Sequence, residues 1–170
     1  MLNGWSSFFA MTGSAGATLV GLLFVVVTVG TGLPTSRTLD IARASMTPAL
    51  YSFSGVMIQS MVAVVPWGSN LPGGVIFVLL GIGGVIYRIN AVRVRSTLHL
   101  KAIQGKADWI FHNAVPVGSS VILILGGAGF IAGAAFAPFA IAGSCTLLLV
   151  SGIYRTWGET LALIGTRGKS

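Results

Sequence analysis

The chain has 170 residues, of which 54% are hydrophobic and only 8% are charged, and its net charge is +7 at pH 7. Charged residues make up about a quarter of a typical soluble domain, so this composition excludes one. The basic excess would suggest nucleic acid in a soluble protein, but in so apolar a chain we expect it to set membrane orientation, with no nucleic-acid partner. The single cysteine, Cys145, excludes a disulfide framework or a thiolate metal site within one chain.

The first apolar segment covers residues 5–29 and contains no charge. About 25 helical residues, each rising roughly 1.5 Å, suffice to cross a hydrocarbon core about 30 Å thick. No Lys or Arg precedes Arg37, and the apolar run continues well past the small residues 13–17. We therefore expect an uncleaved membrane-spanning helix instead of a signal peptide.

The second predicted span covers residues 49–65. Residues 30–34 contain two glycines and a proline and should end the first helix, and residues 36–43 then form a basic polar loop. Ser45 or Thr47 can cap the second helix, with Pro48 in its first turn. Pro66 should end this helix.

The third predicted span covers residues 73–88. The connection before it, residues 68–72, is short and uncharged, so the third span should return antiparallel beside the second. Its many glycines would make it loose unless neighbouring helices hold it. These glycines are Gly73, Gly74, Gly81, Gly83 and Gly84.

The longest polar stretch, residues 88–108, carries most of the positive charge. Residues 92–95 and 98–101 alternate with the period of a strand, although they follow directly from a predicted helix. An isolated strand cannot satisfy its backbone, so we favour a helical extension ending near Gly105 over an extended segment that pairs with another chain.

Residues 113–154 are uncharged over about 40 residues, twice the length that one span needs. The chain must fold back, and the favoured turn is residues 135–138, because Pro138 cannot continue upstream helical hydrogen bonding. This gives a fourth span at 115–135 and a fifth at 139–155. A break at residues 126–129 would leave two pieces too short to span.

Positive charge is confined to three segments: the loop after span one, the loop after span three, and the C-terminal tail. With five spans these segments share one side of the membrane, so the N-terminus should lie outside and the C-terminus in the cytoplasm. A model with four or six spans would scatter the charges across both faces.

Small residues at four-residue spacing could let helix backbones touch. Gly13, Ala17 and Gly21 follow this spacing in span one, and Gly129 and Gly133 repeat it in span four. Such a face could be an oligomer interface, but we favour packing within one chain.

Gln59 is the only amide near the centre of a predicted span, which makes it a candidate polar site. We favour a structural hydrogen bond to Ser or Thr on a neighbouring helix. The predicted spans contain no carboxylate, which argues against ion-coupled transport and cation conduction.

The histidines, His99 and His112, lack a nearby carboxylate array and are expected at the lipid headgroups, so no metal, cofactor or catalytic set is predicted. We expect the basic residues after span three to meet anionic lipid headgroups on the cytoplasmic side. These are Arg88, Arg93, Arg95, Lys101 and Lys106.

One segment of span one resembles a known group of proteins. Phe8-Phe9, Gly13, residues 15–17, Leu19 and residues 21–25 are similar to the first helix of small bacterial inner-membrane proteins without assigned function. The resemblance implies a bacterial inner-membrane protein and supplies no catalytic or binding residue.

The sequence thus predicts an all-α integral membrane protein forming one transmembrane domain over residues 1–170, with five spans. The favoured function is that of a non-enzymatic subunit that stabilises, tethers or regulates a larger membrane complex through helix packing. Its expected partners are other membrane subunits or further copies of the chain. The alternative function is a homo-oligomeric pore for a small solute or anion.

Overall fold

The computed structural model describes residues 2–30, 36–97 and 114–167. A 3₁₀ turn at Asn3–Trp5 precedes five α-helices in this part of the chain, so the all-α prediction is confirmed. In chain order the helices are α1 (Ser6–Gly30), α2 (Ser36–Val64), α3 (Asn70–Thr97), α4 (Val115–Ile131) and α5 (Ala137–Arg167).

Three of these helices are long and apolar enough to cross a membrane. The qualifying segments are Ser6–Val26 in α1, Asn70–Asn90 in α3 and Ala137–Gly158 in α5. The helix α4 is equally apolar but has only 17 residues. The more apolar half of α2 contains polar side chains such as Gln59 and Ser60. The length and composition of these three helices are consistent with a membrane protein.

The helix α2 begins at Ser36, so the predicted polar loop at residues 36–43 and the predicted start near residue 49 are wrong. Pro48 lies inside this helix instead of in its first turn. Proline has no backbone N–H, so one hydrogen bond to the preceding turn of α2 is missing. The helix continues through Pro48 despite this loss. The Ser52 hydroxyl donates to the Pro48 carbonyl at 3.1 Å and so adds a contact there.

The helix α3 begins at Asn70, slightly before the predicted boundary, and continues to Thr97. The helical extension is confirmed as far as Thr97, and the strand alternative is wrong for residues 92–95. Continuing a helix satisfies each backbone group internally, which a lone strand could not do. The predicted end near Gly105 lies outside the described residues.

The connection between α4 and α5 is centred on Gly133, not on Pro138. Gly133 has φ of 71°, a left-handed conformation that suits glycine. Its N–H donates to the Phe130 carbonyl at 3.2 Å, and the Ala134 N–H donates to the Gly129 carbonyl at 2.8 Å. These bonds form a Schellman motif that ends α4. The connection covers residues 132–136, so the predicted turn at residues 135–138 is confirmed only for residues 135 and 136, and Pro138 lies in the first turn of α5.

The helices pack in a spatial order that differs from their order in the chain. The main contacts are α1 with α2, α2 with α5, α5 with α4, and α4 with α3. The expected contact of α3 with α2 is present but small, because α3 packs mainly against α4. The largest core side chains include Phe9, Phe53, Phe77, Leu123 and Ile141.

Glycines bring the backbones of α3 and α4 into contact. A Cβ atom added at Gly127 would lie 2.9 Å from the Gly74 carbonyl oxygen, and one added at Gly74 would lie 2.8 Å from the Gly127 carbonyl oxygen. Further along α3, Gly81 and Gly84 face Ser120. The prediction that neighbouring helices hold the glycine-rich third helix agrees with this packing.

Candidate functional site

The inner face of α1 is formed by Thr12, Gly13 and Gly16. A Cβ added at Gly13 would lie 2.9 Å from Ser60 Cβ, and one at Gly16 would lie 3.0 Å from the Phe53 carbonyl oxygen. The Thr12 and Ser60 hydroxyls lie 3.0 Å apart and share a hydrogen bond. This seam fixes α1 against α2.

Ala17 and Gly21 are exposed on the side of α1 away from this seam. No atom lies within 4 Å of a Cβ added at Gly21. We expected Gly13, Ala17 and Gly21 to pack within the chain. That expectation is wrong for Ala17 and Gly21. An α-helix has 3.6 residues per turn, so residues at four-residue spacing rotate progressively away from the seam.

The predicted pair Gly129 and Gly133 does not form a helix-packing face. Gly133 lies beyond the end of α4, and a Cβ at Gly129 would meet the Phe136 ring of the following turn. The glycines of α4 that do face neighbouring helices are Gly126, which meets Ala140 and Ile141 of α5, and Gly127, which meets α3.

Gln59 is buried and forms the structural hydrogen bonds expected of it. Its side-chain oxygen accepts from Ser144 Oγ at 3.3 Å and from Cys145 Sγ at 3.3 Å, and both donors belong to α5. The prediction of a serine partner on a neighbouring helix is confirmed, whereas the cysteine contact was not foreseen. These bonds link the C-terminal part of α2 to the N-terminal part of α5.

The basic residues predicted for one cytoplasmic loop occupy different settings. Arg88 lies within α3 and is only 5% exposed, so its placement in the cytoplasmic basic loop is wrong. Arg93 and Arg95 belong to the last turns of the same helix. Lys101 and Lys106 lie outside the described residues.

A second buried guanidinium lies close to the first. Arg155 of α5 is 3% exposed, and its positive charge is near enough to Arg88 to repel it. Arg88 Nη2 donates to the Ser52 hydroxyl of α2 at 3.2 Å. The Nε of Arg88 is buried and has no hydrogen-bond partner among the described residues.

Two tyrosines border this arginine pair. The rings of Tyr51 from α2 and Tyr87 from α3 stack with centroids 4.0 Å apart and planes inclined by 11°. Both lie near enough to Arg88 to interact with its charge. We call the group Tyr51, Ser52, Tyr87, Arg88 and Arg155 the arginine cluster.

The arginine cluster contains no described negative charge. The three acidic residues, Asp40, Asp108 and Glu159, lie where the structure describes no side chains. Along α2, Asp40 precedes Ser52 by three turns or more, about 18 Å at the helical rise, whereas Glu159 follows Arg155 on α5 by about one turn. The described surroundings of Arg88 are thus a neutral hydroxyl, two phenol rings and a second cation.

The tripeptide Ile-Tyr-Arg is the sequence signal that could have revealed the cluster. It occurs at residues 86–88 and again at residues 153–155, at the end of an apolar run each time. Arginine at such a position is usually an interfacial anchor, so neither copy stands out alone. Only the fold, in which α3 and α5 both contact α4 and α2, brings the two arginines near each other.

Comparison of the chain with protein-family models, with curated proteins and with solved structures finds no match. Among the described residues, no three His, Cys, Asp or Glu side chains form a group that could hold a metal ion.

Proposed function

We propose that the protein is a non-enzymatic subunit of a larger complex in the bacterial inner membrane. In this proposal the chain crosses the membrane five times, with its N-terminus outside, and stabilises, tethers or regulates a partner through helix packing. The occupant expected on the outer face of α1 is a transmembrane helix of another subunit.

The outer face of α1 is the observation that carries the proposal. Only 22% of the membrane-length part of α1 is buried within the chain, against 50% for α5. Ala17 and Gly21 lie on the uncovered side, together with Ser14 and Thr18. Small residues on an uncovered helix face allow a second helix to approach closely, which is the main source of attraction between helices in lipid.

The buried hydroxyl and amide groups support a packing role over a transport role. Gln59 is bonded to Ser144 and Cys145, and Ser119 and Ser120 both donate to the Pro116 carbonyl at 2.8 and 3.0 Å. The Gln59 bonds hold α2 to α5, and the Ser119 and Ser120 hydroxyl protons are used within α4, so these donors are not free to replace the hydration shell of a solute.

Enlarging Gly21 tests the proposed interface. In Gly21→Leu, the new side chain meets nothing within the chain, so the thermal midpoint of the purified protein should be unchanged. Recovery of companion subunits after purification in mild detergent should fall by about tenfold, which corresponds to about 1.4 kcal/mol of lost contact. Quantitative mass spectrometry of the purified complex measures this recovery.

The matched control is Gly83→Leu, because Gly83 is also exposed with no neighbouring atom within 4 Å but belongs to α3. It should retain all companions. If Gly21→Leu retains them as well, the outer face of α1 contacts lipid and the proposal fails. A pure ring of this chain that conducts solute in liposomes would indicate the homo-oligomeric pore instead.

The five-span topology has its own test. A reporter fused after Ser170 should be active in the cytoplasm, and a cysteine introduced at Asn3 should react with an impermeant maleimide from outside. The native Cys145 is fully buried and should give little background labelling. The opposite labelling pattern, or a reporter facing outside, would rule out the proposed topology.

A further inference from the structure

The buried face of α1 repeats every seven residues. Phe9, Gly16 and Leu23 lie on this face at that spacing, and all three are buried. Thr12 and Leu19 follow the first two by three residues and are buried and half-buried, respectively. A repeat of seven residues means about 3.5 residues per turn, which is the period of left-handed packing between helices. The contact of α1 with α2 therefore follows the pattern of a left-handed helix pair.

The opposite face of α1 shows the same repeat and is exposed. Small residues occupy it at seven-residue spacing, namely Ser7, Ser14, Gly21 and Thr28. Met11 and Val25 lie between them and are 74% and 54% exposed. The rise from Ser7 to Thr28 is about 32 Å, which matches a hydrocarbon core about 30 Å thick. We call this surface the seven-residue face.

The two threonine hydroxyls of the seven-residue face already have acceptors within α1. Thr18 Oγ1 donates to the Ser14 carbonyl at 2.9 Å, and Thr28 Oγ1 donates to the Phe24 carbonyl at 3.0 Å. A hydroxyl bonded back to its own helix needs no polar partner on the next one. The face therefore suits van der Waals contact with an uncharged helix, which is a main attraction between helices in lipid.

The charge beside the cytoplasmic end of α1 indicates what kind of chain covers this face. In the proposed topology α1 ends on the cytoplasmic side, and the first turns of α2 carry Arg37 and Arg43 against Asp40. A second copy in the same orientation would bring two equal sets of these cations together, and like charges at an interface are unfavourable. A chain with acidic residues at this end would instead be attracted.

We propose that the occupant is a transmembrane helix of a different protein, which packs along the whole seven-residue face as a left-handed pair with α1. Its contact face is uncharged and repeats every seven residues, and acidic residues follow at its cytoplasmic end. This inference rests on the proposed subunit role and specifies the partner of the same surface. It excludes a contact along the four-residue series of Gly13, Ala17 and Gly21, which would require a right-handed crossing.

Ser14→Leu and Ala17→Leu distinguish the two crossings. Both residues are exposed on α1, but Ser14 lies on the seven-residue face and Ala17 lies beside it. Ser14→Leu should lower the recovery of companion subunits about tenfold, as Gly21→Leu should, because its bulk separates the two backbones. Ala17→Leu should keep recovery within about twofold of wild type. Quantitative mass spectrometry of the complex purified in mild detergent measures recovery, and both variants should keep the thermal midpoint of wild type.

The acidic end of the partner is tested by combining Arg37→Gln with Arg43→Gln. Loss of these two charges should lower recovery about threefold and should make recovery less sensitive to salt. The matched control combines Arg93→Gln with Arg95→Gln, which removes the same charge from the end of α3. Since α3 is not among the main neighbours of α1, this control should keep the recovery of wild type.

The leucine variants separate this inference from the subunit role. If Gly21→Leu lowers recovery while Ser14→Leu does not, or if Ala17→Leu lowers it as much as Ser14→Leu, the left-handed pair is wrong although a partner binds. If none of the three lowers recovery, the subunit role fails as well. Should Ser14→Leu fail to fold, Thr28→Leu on the same face decides in its place.

Two further results would overturn the identity of the partner. Equal recovery in the two arginine double variants would refute the acidic end. The second result is a disulfide between two copies of Ser14→Cys in native membranes, which would place a second copy on the seven-residue face. The native Cys145 is fully buried and should not form such a link.

Discussion

Gly81→Leu should prevent α3 and α4 from packing, so that little folded protein is recovered. A Cβ added at Gly81 would lie 2.9 Å from the Ser120 carbonyl oxygen and 3.2 Å from the Ile124 backbone nitrogen. Backbone atoms of a helix cannot move aside as a side-chain tip can, so the two helices must separate. Overpacking a core costs about 1–3 kcal/mol even where side chains can adjust, against a total stability of about 5–15 kcal/mol.

The measurement is the fraction of monodisperse protein on size-exclusion chromatography, together with its thermal midpoint. Gly83→Leu is the matched control, since it lies two residues further along the same helix in open space. It should behave as wild type does. Equal behaviour of both variants would show that the glycine contact between α3 and α4 is not required for folding.

The second large effect is expected where Phe53 of α2 packs against Gly152 of α5. A Cβ added at Gly152 would lie 2.9 Å from Phe53 Cζ, and the Phe53 side chain is fully buried. Gly152→Leu should therefore destabilise through overpacking, and Phe53→Ala should cost about 3–5 kcal/mol through the cavity it leaves.

Combining Gly152→Leu with Phe53→Ala should recover part of the lost stability, because the new leucine occupies the space vacated by the Phe53 ring. We expect a favourable coupling of about 1–3 kcal/mol between the two positions, measured by unfolding of all four proteins in detergent. Gly158→Leu, at an open and exposed position of α5, should change little. Strictly additive losses would mean that Phe53 and Gly152 do not depend on each other.

The helical class could be predicted because long uncharged runs leave few alternatives to a helix in lipid. The helix boundaries could not be predicted, because different local sequence preferences favour different helix ends. Pro48 was expected to start a helix, yet nothing prevents the polar residues before it from adopting helical structure too. After α4, Gly133 and Pro138 both favour the end of a helix. The helix ends at Gly133, because the Schellman hydrogen bonds form there.

The faces that pack could not be predicted from spacing either. Gly13 belongs to the seam with α2 and also begins the four-residue series that continues to Gly21. Only the position of α2 shows that Gly13 is packed and Gly21 is not. The burial of Arg88 depends in the same way on Ser52 and Arg155, which are distant in the chain. Gln59 was predictable because an amide within an apolar run requires a partner wherever the helices pack.

The spatial order of the helices has a consequence for biosynthesis. During synthesis the helices emerge in the order α1 to α5. The second large contact of α2 is with α5, which emerges last. The glycine surface of α3 is covered only once α4 has emerged. Until then the nascent protein exposes backbone carbonyl groups beside Gly74 and Gly81 to its surroundings. A ribosome stalled before Ala137 would hold an intermediate in which α2 lacks α5, and such an intermediate is a natural substrate for insertion chaperones and membrane proteases.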